Sequence, residues 1–153
     1  MLDNKSGMNK GATILVVEDD RLFREMLCEV IQAIRPAWRI YEARNGQEGL
    51  ELAQTKRPDL IIMDFHMPMM NGYQLAMALQ QKSETSTIPL ILSTSEDSTH
   101  PLVRRLRALC QAVLFKPFSL SELERTFAQI KFVQPAAEFK QGRGVDFALL
   151  EMA

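Results

Sequence analysis

DLIIMDFHMPMMNG, residues 59–72, runs four apolar residues into one acid and then turns. Leu60, Ile61, Ile62 and Met63 form a short unbroken apolar run bounded by Pro58 and by a loop containing Pro68 and Gly72. Such a run predicts a strand buried on both faces, the kind found in parallel sheets. Asp64, at the end of the run, then lies at the rim of the sheet, where open α/β sheets bind ligands. Met67-Pro68 and Asn71-Gly72 predict a shaped loop after it. An acid that merely caps such a loop is the plainer alternative, so the rest of the chain has to decide.

Working outward, the same pattern recurs. ATILVVEDD carries the apolar run Ile14–Val17 into Glu18, Asp19 and Asp20. A helix follows, with Leu22, Phe23, Met26, Leu27, Val30, Ile31 and Ile34 at helical spacing, and Pro36 stops it. Asp20 suits the start of that helix better than a ligand position. WRIYEA, residues 38–43, is a short strand with Trp38 and Ile40 on one face. Asn45-Gly46 turns into a modest helix over residues 47–56. After Gly72, YQLAMALQQK predicts a third helix, and the polar SETST, residues 83–87, predicts a loop.

PLILST, residues 89–94, is the fourth strand and ends at Ser93 and Thr94. Residues 98–109 predict a fourth helix, with Leu102, Val103, Leu106 and Leu109 inward and Arg104, Arg105 and Arg107 outward. AVLF is the fifth strand, followed by Lys116-Pro117-Phe118. Ser119 and Glu122 have the spacing of a capping box for a fifth helix that carries Leu120, Leu123, Phe127 and Ile130. Strand and helix thus alternate five times, which predicts an α/β fold with a parallel sheet and helices on both faces.

Composition narrows the classes. The 153 residues suit one domain with a sizeable core, and 46% hydrophobic with 24% charged residues is ordinary for a globular chain. A net charge of −1 gives no basis for direct nucleic-acid binding or for an anionic membrane. Cys28 and Cys110 sit within apolar helical patterns and are expected as free thiols. No apolar run is long enough to span a bilayer, and MLDNKSGMNKG lacks a signal-peptide core. A cytoplasmic protein is expected. Residues 1–11 are expected as a loose arm, residues 12–131 as the domain, and residues 132–153 as a tail too short for a DNA-binding or enzymatic unit. Within that tail Asp146 can cap a short helix in VDFALLEMA.

In a parallel sheet all strand C-termini share one edge. Glu18 and Asp19, Asp64, Thr94 and Lys116 therefore converge from four separate segments. Carboxylates brought together repel unless a cation joins them. An all-oxygen donor set without His or Cys suits a hard divalent ion, Mg²⁺ rather than Zn²⁺. Lys116 adds a point charge and Thr94 a hydroxyl, and such groups can position and neutralise a transferring phosphoryl group. A carboxylate that attacks phosphorus would form an acyl phosphate.

VVEDD, DFHMPMMNG, PLILSTSE and LFKPF together resemble the four signature segments of receiver domains of two-component response regulators, of the single-domain, chemotaxis-receiver-like kind, across residues 12–131. The resemblance implies a flavodoxin-like, doubly wound (βα)5 fold with strand order 2-1-3-4-5. It implies that Asp64 is the phosphoacceptor, and that Mg²⁺ is held by Asp19 directly, by Glu18 through water, by Asp64, and by the backbone carbonyl of His66. It further implies that Thr94 and Lys116 bind the phosphoryl group, and that Lys116-Pro117 is cis. The implied donor is a sensor histidine kinase or a histidine phosphotransfer protein. A downstream protein partner would use the face of the fourth helix, fifth strand and fifth helix, and a homodimer is a further possibility. The protein would then be a signalling phosphoacceptor rather than an enzyme in the ordinary sense.

Two departures stand out. Receivers usually carry Tyr or Phe three positions before the lysine, where this chain has Val113 and places its aromatic at Phe115. Family members often have Gly-Ala shortly before the fifth strand, where this chain has Leu109-Cys110. The alternative function is an interaction module, a pseudo-receiver, that keeps the fold without switching by phosphate. A dehalogenase-type hydrolase would want a second acid two residues after Asp64, where His66 stands. A dinucleotide enzyme would want glycines after the first strand, where acids stand.

Overall fold

The computed structural model describes residues 11–133. The N-terminal arm and most of the expected tail, including VDFALLEMA, lie outside the described residues. Five strands form one parallel sheet: β1 (Thr13–Val17), β2 (Arg39–Ala43), β3 (Leu60–Asp64), β4 (Leu90–Thr94) and β5 (Ala112–Phe115). Their order is β2-β1-β3-β4-β5, the flavodoxin-like doubly wound arrangement. Between them run α1 (Arg21–Ile34), α2 (Gly46–Lys56), α3 (Gly72–Gln80), the single turn α4 (Ser83–Ser86) and α5 (Pro101–Arg107), and α6 (Leu120–Gln129) closes the domain.

Side-chain alternation along the strands builds two cores, one on each face of the sheet. Leu15, Val17, Ile61, Met63 and Leu92 pack beneath α2, α3 and α5, against Ala53, Leu75, Leu79, Val103 and Leu106. Ile14, Val16, Ile62, Ile91 and Leu114 pack beneath α1 and α6, against Leu27, Ile31, Leu123 and Phe127. Every residue of β3 and β4 is buried, as expected for central strands of a sheet covered on both sides. Cys28 and Cys110 are free thiols, and burial pushes each up to about 12, so neither is a ready thiolate.

Several local expectations shift. SETST does not stay a loop: Ser83–Ser86 closes a helical turn, because the Thr85 hydroxyl, buried, donates to the Leu79 carbonyl at 2.7 Å. The fourth helix runs only from Pro101, where His100 caps it and accepts from Leu102 N–H. On α1, Leu22 and Met26 are exposed while Arg24 is buried beside Leu27 and Ile31. The helix therefore faces the sheet along 24, 27 and 31 rather than along the whole apolar stripe. No helix among the described residues is long and apolar enough to cross a membrane.

Candidate functional site

The C-terminal ends of β1, β3, β4 and β5 form one edge, and the polar residues that follow the apolar runs gather there. Asp64 is the last residue of β3, and only 7% of it is exposed. Its loop is held close. Gly72 N–H donates to the Phe65 carbonyl at 2.8 Å, and a Cβ at Gly72 would stand 2.5 Å from the Asp64 carbonyl oxygen, so only glycine fits there. Met69 takes a left-handed φ of 69° to complete the turn. Asn71 caps α3 with Gln74 as its reciprocal partner, which fixes where the loop ends.

Glu18, Asp19 and Asp64 bring one carboxylate oxygen each within 4.8 Å of one another. Glu18 is 2% exposed and Asp19 is exposed. Asp20 is not part of this group. Its side chain accepts from Phe23 N–H at 3.1 Å and caps α1, as the sequence suggests. Lys116 reaches in from the end of β5. Its Nζ lies 2.8 Å from Glu18 Oε1 and 3.7 Å from Asp64 Oδ1. The ammonium also sits 4.2 Å above the Phe23 ring, and Phe23 meets Phe118 edge-on at 6.0 Å. The Lys116-Pro117 bond is cis.

The electrostatics follow from crowding. Asp64 is pushed up to about 6, first by burial and then by the Glu18 carboxylate. Lys116 and the Phe65 N–H, which donates to Asp64 Oδ1 at 2.8 Å, oppose the rise, and Asp19 adds to it. Three neighbouring oxygen donors with more negative charge than one ammonium can balance fit a hard divalent cation. Glu18, Asp19 and Asp64 are the side chains able to hold it.

Thr94 is fully buried at the end of β4, and its Oγ1 accepts from Glu96 N–H at 3.0 Å. It follows Ser93, the register partner of Asp64, but its described hydrogen bond is to the loop and not to Asp64. The His66 imidazole is exposed and pairs with Glu96, so it spans the β3 and β4 loops and stands apart from the carboxylate group.

The sequence does not single out Arg24 or Glu96, and it shows Phe23 only as part of an apolar helix face. Arg24 Nη1 donates to the Glu18 carbonyl at 2.7 Å and Nε to Glu42 at 3.1 Å, which ties α1 to the end of β1. Its spacing with Leu27 and Ile31 was the available signal. Phe23 reads only as a core position until Lys116 is seen above it. Glu96 carries no signal beyond standing two residues after Thr94.

The comparisons agree with this geometry. The sequence profile of the response regulator receiver domain matches residues 14–128. PilH of Pseudomonas aeruginosa is 32% identical over 115 residues, covering 75% of this chain and 93% of PilH. Of several other curated relatives the chain spans half the length or less, 49% of one and 11% of another, whereas it spans 91% of the response regulator DivK of Brucella anthropi, at 31% identity over 74% of this chain. Among solved structures, the Vibrio cholerae chemotaxis protein CheY4 superposes with a TM-score of 0.70 at 29% identity, covering 79% of this chain and 99% of CheY4. The receiver domain of the sensor histidine kinase PA1611 of Pseudomonas aeruginosa, described with a magnesium ion in its active-site cleft, gives 0.68 at 26% identity, covering 75% of this chain and 93% of that one. With the strand order, the acidic edge and the match over residues 14–128 all in agreement, this chain belongs to the receiver domains of two-component response regulators.

Proposed function

We propose that this chain is a Mg²⁺-dependent phosphoacceptor whose nucleophile is Asp64. The observation that carries the proposal is the placement of Asp64: a nearly buried carboxylate, grouped with Glu18 and Asp19 and 3.7 Å from the Lys116 ammonium. In the proposed reaction a carboxylate oxygen of Asp64 forms a bond to phosphorus. The P–N bond of a phosphohistidine donor breaks, and its electron pair returns to the imidazole. Mg²⁺, when bound, neutralises phosphoryl oxygens and lowers the repulsion between the carboxylates.

The remaining roles fall to residues of the chain. Asp19, Asp64 and the backbone carbonyl of His66 would hold the ion directly, and Glu18 through water. Lys116 turns from Glu18 towards a phosphoryl oxygen, and Thr94, whose Oγ1 accepts from the Glu96 amide, donates its hydroxyl proton there. The likeness to the receiver of a sensor kinase supports a histidine kinase or histidine phosphotransfer protein as donor. Residues 12–131 form the receiver, and residues 1–11 and 132–153 flank it. The exposed Arg104, Arg105 and Arg107 on α5 support a readout face of α5, β5 and α6 for a downstream protein or a second copy. A net charge of −1 speaks against direct DNA contact, and a cytoplasmic location goes with the proposed donor.

The test is transfer from a purified autophosphorylated histidine kinase or phosphotransfer protein, run with Mg²⁺ and with a chelator. The proposal expects label to leave the donor for this chain only with Mg²⁺. Binding to the donor without transfer under either condition would favour the pseudo-receiver reading.

A further inference from the structure

Ser93 carries a buried hydroxyl with no hydrogen-bond partner, the one such side-chain atom among the described residues. The residue is 1% exposed, in the middle of a sheet whose neighbours are otherwise apolar or paired. Buried polar groups almost always find partners, so this one calls for a reason.

Its place in the sheet supplies one. Val16, Ile62, Ile91 and Leu114 all point into the core beneath α1 and α6. Two residues further along each strand stand Glu18, Asp64, Ser93 and Lys116, so alternation puts all four on that same face. Ser93 is the register partner of Asp64 on one side and of Leu114 on the other. Neighbouring strands lie about 4.8 Å apart, which makes the Ser93 and Asp64 side chains neighbours on that face. In the resting site Asp64 Oδ1 accepts from Phe65 N–H and faces Lys116, and Ser93 is idle. The small serine also leaves room at this level for the Lys116 stem, which must cross β4 to reach Glu18.

We propose that Ser93 is a positioning residue for the phosphorylated state, donating a hydrogen bond to the Asp64 carboxyl oxygen that remains a carbonyl in the acyl phosphate. This rests on Asp64 being the phosphoacceptor. Once one Asp64 oxygen is bonded to phosphorus and Lys116 has turned to the phosphoryl oxygens, the other oxygen keeps the Phe65 amide and the bound ion but has lost the lysine. Ser93 then replaces the lost lysine contact. A donor unmet in one state and engaged in the other shifts the equilibrium towards the second.

The experiment compares the full chain and its Ser93→Ala and Ser93→Cys variants, using beryllofluoride with Mg²⁺ as the phosphoryl mimic. Ser93→Ala should unfold at an equal or higher temperature without the mimic, because an unmet buried donor is gone. It should bind the mimic about five- to tenfold more weakly, the loss expected for one hydrogen bond. Ser93→Cys, a weak donor of similar size, should fall between. Unchanged affinity in Ser93→Ala would overturn the proposal, as would a lower unfolding temperature with unchanged affinity, which is the behaviour of a packing residue. If the wild-type chain fails to bind the mimic, or Asp64→Asn binds it equally well, the phosphoacceptor reading itself fails and Ser93 falls with it.

Discussion

Lys116 Nζ lies 2.8 Å from Glu18 Oε1 and 3.7 Å from Asp64 Oδ1, so the lysine is bonded to Glu18 rather than to Asp64, the proposed nucleophile. Glu18 is 2% exposed, and losing that partner would leave a nearly buried carboxylate beside two others. Lys116→Met should therefore cost on the order of 2–3 kcal/mol in metal-free buffer at neutral pH. Adding Glu18→Gln should restore most of it, because the uncompensated charge is removed. Denaturant unfolding of the single and double variants gives the comparison, and equal losses in both would show that the two residues are not coupled.

Stability should also depend on pH through Asp64. Its carboxyl stands at about 6 in the fold against an ordinary 3.8, so between those values the folded chain holds a proton that the unfolded chain does not. The resulting stabilisation is full below pH 3.8 and is lost as pH rises through about 6. Relative to Asp64→Asn, which does not titrate, the wild type should lose on the order of 2 kcal/mol between pH 4 and pH 7.5 with a chelator present. Mg²⁺ should recover stability at the upper end by binding the ionised folded state. A wild-type-minus-variant difference that is flat with pH would remove the crowded-carboxylate account.

Asp19 and Asp20 are adjacent but serve different ends. Asp19 joins the carboxylate group, whereas Asp20 accepts from Phe23 N–H as the cap of α1. Asp19→Asn should weaken Mg²⁺ binding at least tenfold with little change in unfolding temperature. Asp20→Ala should leave Mg²⁺ affinity within about twofold and cost about 1 kcal/mol of stability, the usual worth of a cap. Calorimetric Mg²⁺ titration beside thermal unfolding separates the two, and equal losses of Mg²⁺ affinity would show that the division of roles is wrong.

Much of this was legible in the sequence, because apolar runs that stop at a polar residue encode both a strand and its rim. Ile14–Val17 into Glu18 and Leu60–Met63 into Asp64 specified strand positions, faces and the site edge together. Capping was legible for the same local reason: Ser119 and Glu122 form the expected box. What escaped depends on partners outside the periodicity of the element concerned. Arg24 is buried because the Glu18 carbonyl, before the helix starts, and Glu42, on another strand, meet it, and helical spacing announces neither. Ser83–Ser86 closes a turn because Thr85 finds the Leu79 carbonyl, which a run of polar residues does not announce. Ser93 looked like a strand ending until the register set it beside Asp64.

The readout should bypass Val113. Phe115 is the register partner of Thr94 and is 38% exposed, whereas Val113 pairs with Leu92 and packs against the core beneath α5. A β-branched side chain has few χ1 states with which to report a change. Phe115→Ala should reduce the beryllofluoride-dependent gain in partner binding or dimerisation by about threefold or more, a loss on the scale of a modest allosteric coupling. Val113→Ala should leave that gain nearly intact. A large loss from Val113→Ala alone would assign the switch to the valine.

Asp64, among the crowded acids of this edge, is the residue proposed to take the phosphoryl group. Intact-mass spectrometry after incubation with acetyl phosphate and Mg²⁺ tests it most directly, on the wild type, Asp64→Asn, and Asp19→Asn as a control that weakens the ion site but keeps the nucleophile. The account predicts one phosphoryl mass on the wild type, none with a chelator, none on Asp64→Asn, and slowed but detectable addition on Asp19→Asn. Undiminished addition to Asp64→Asn would contradict it.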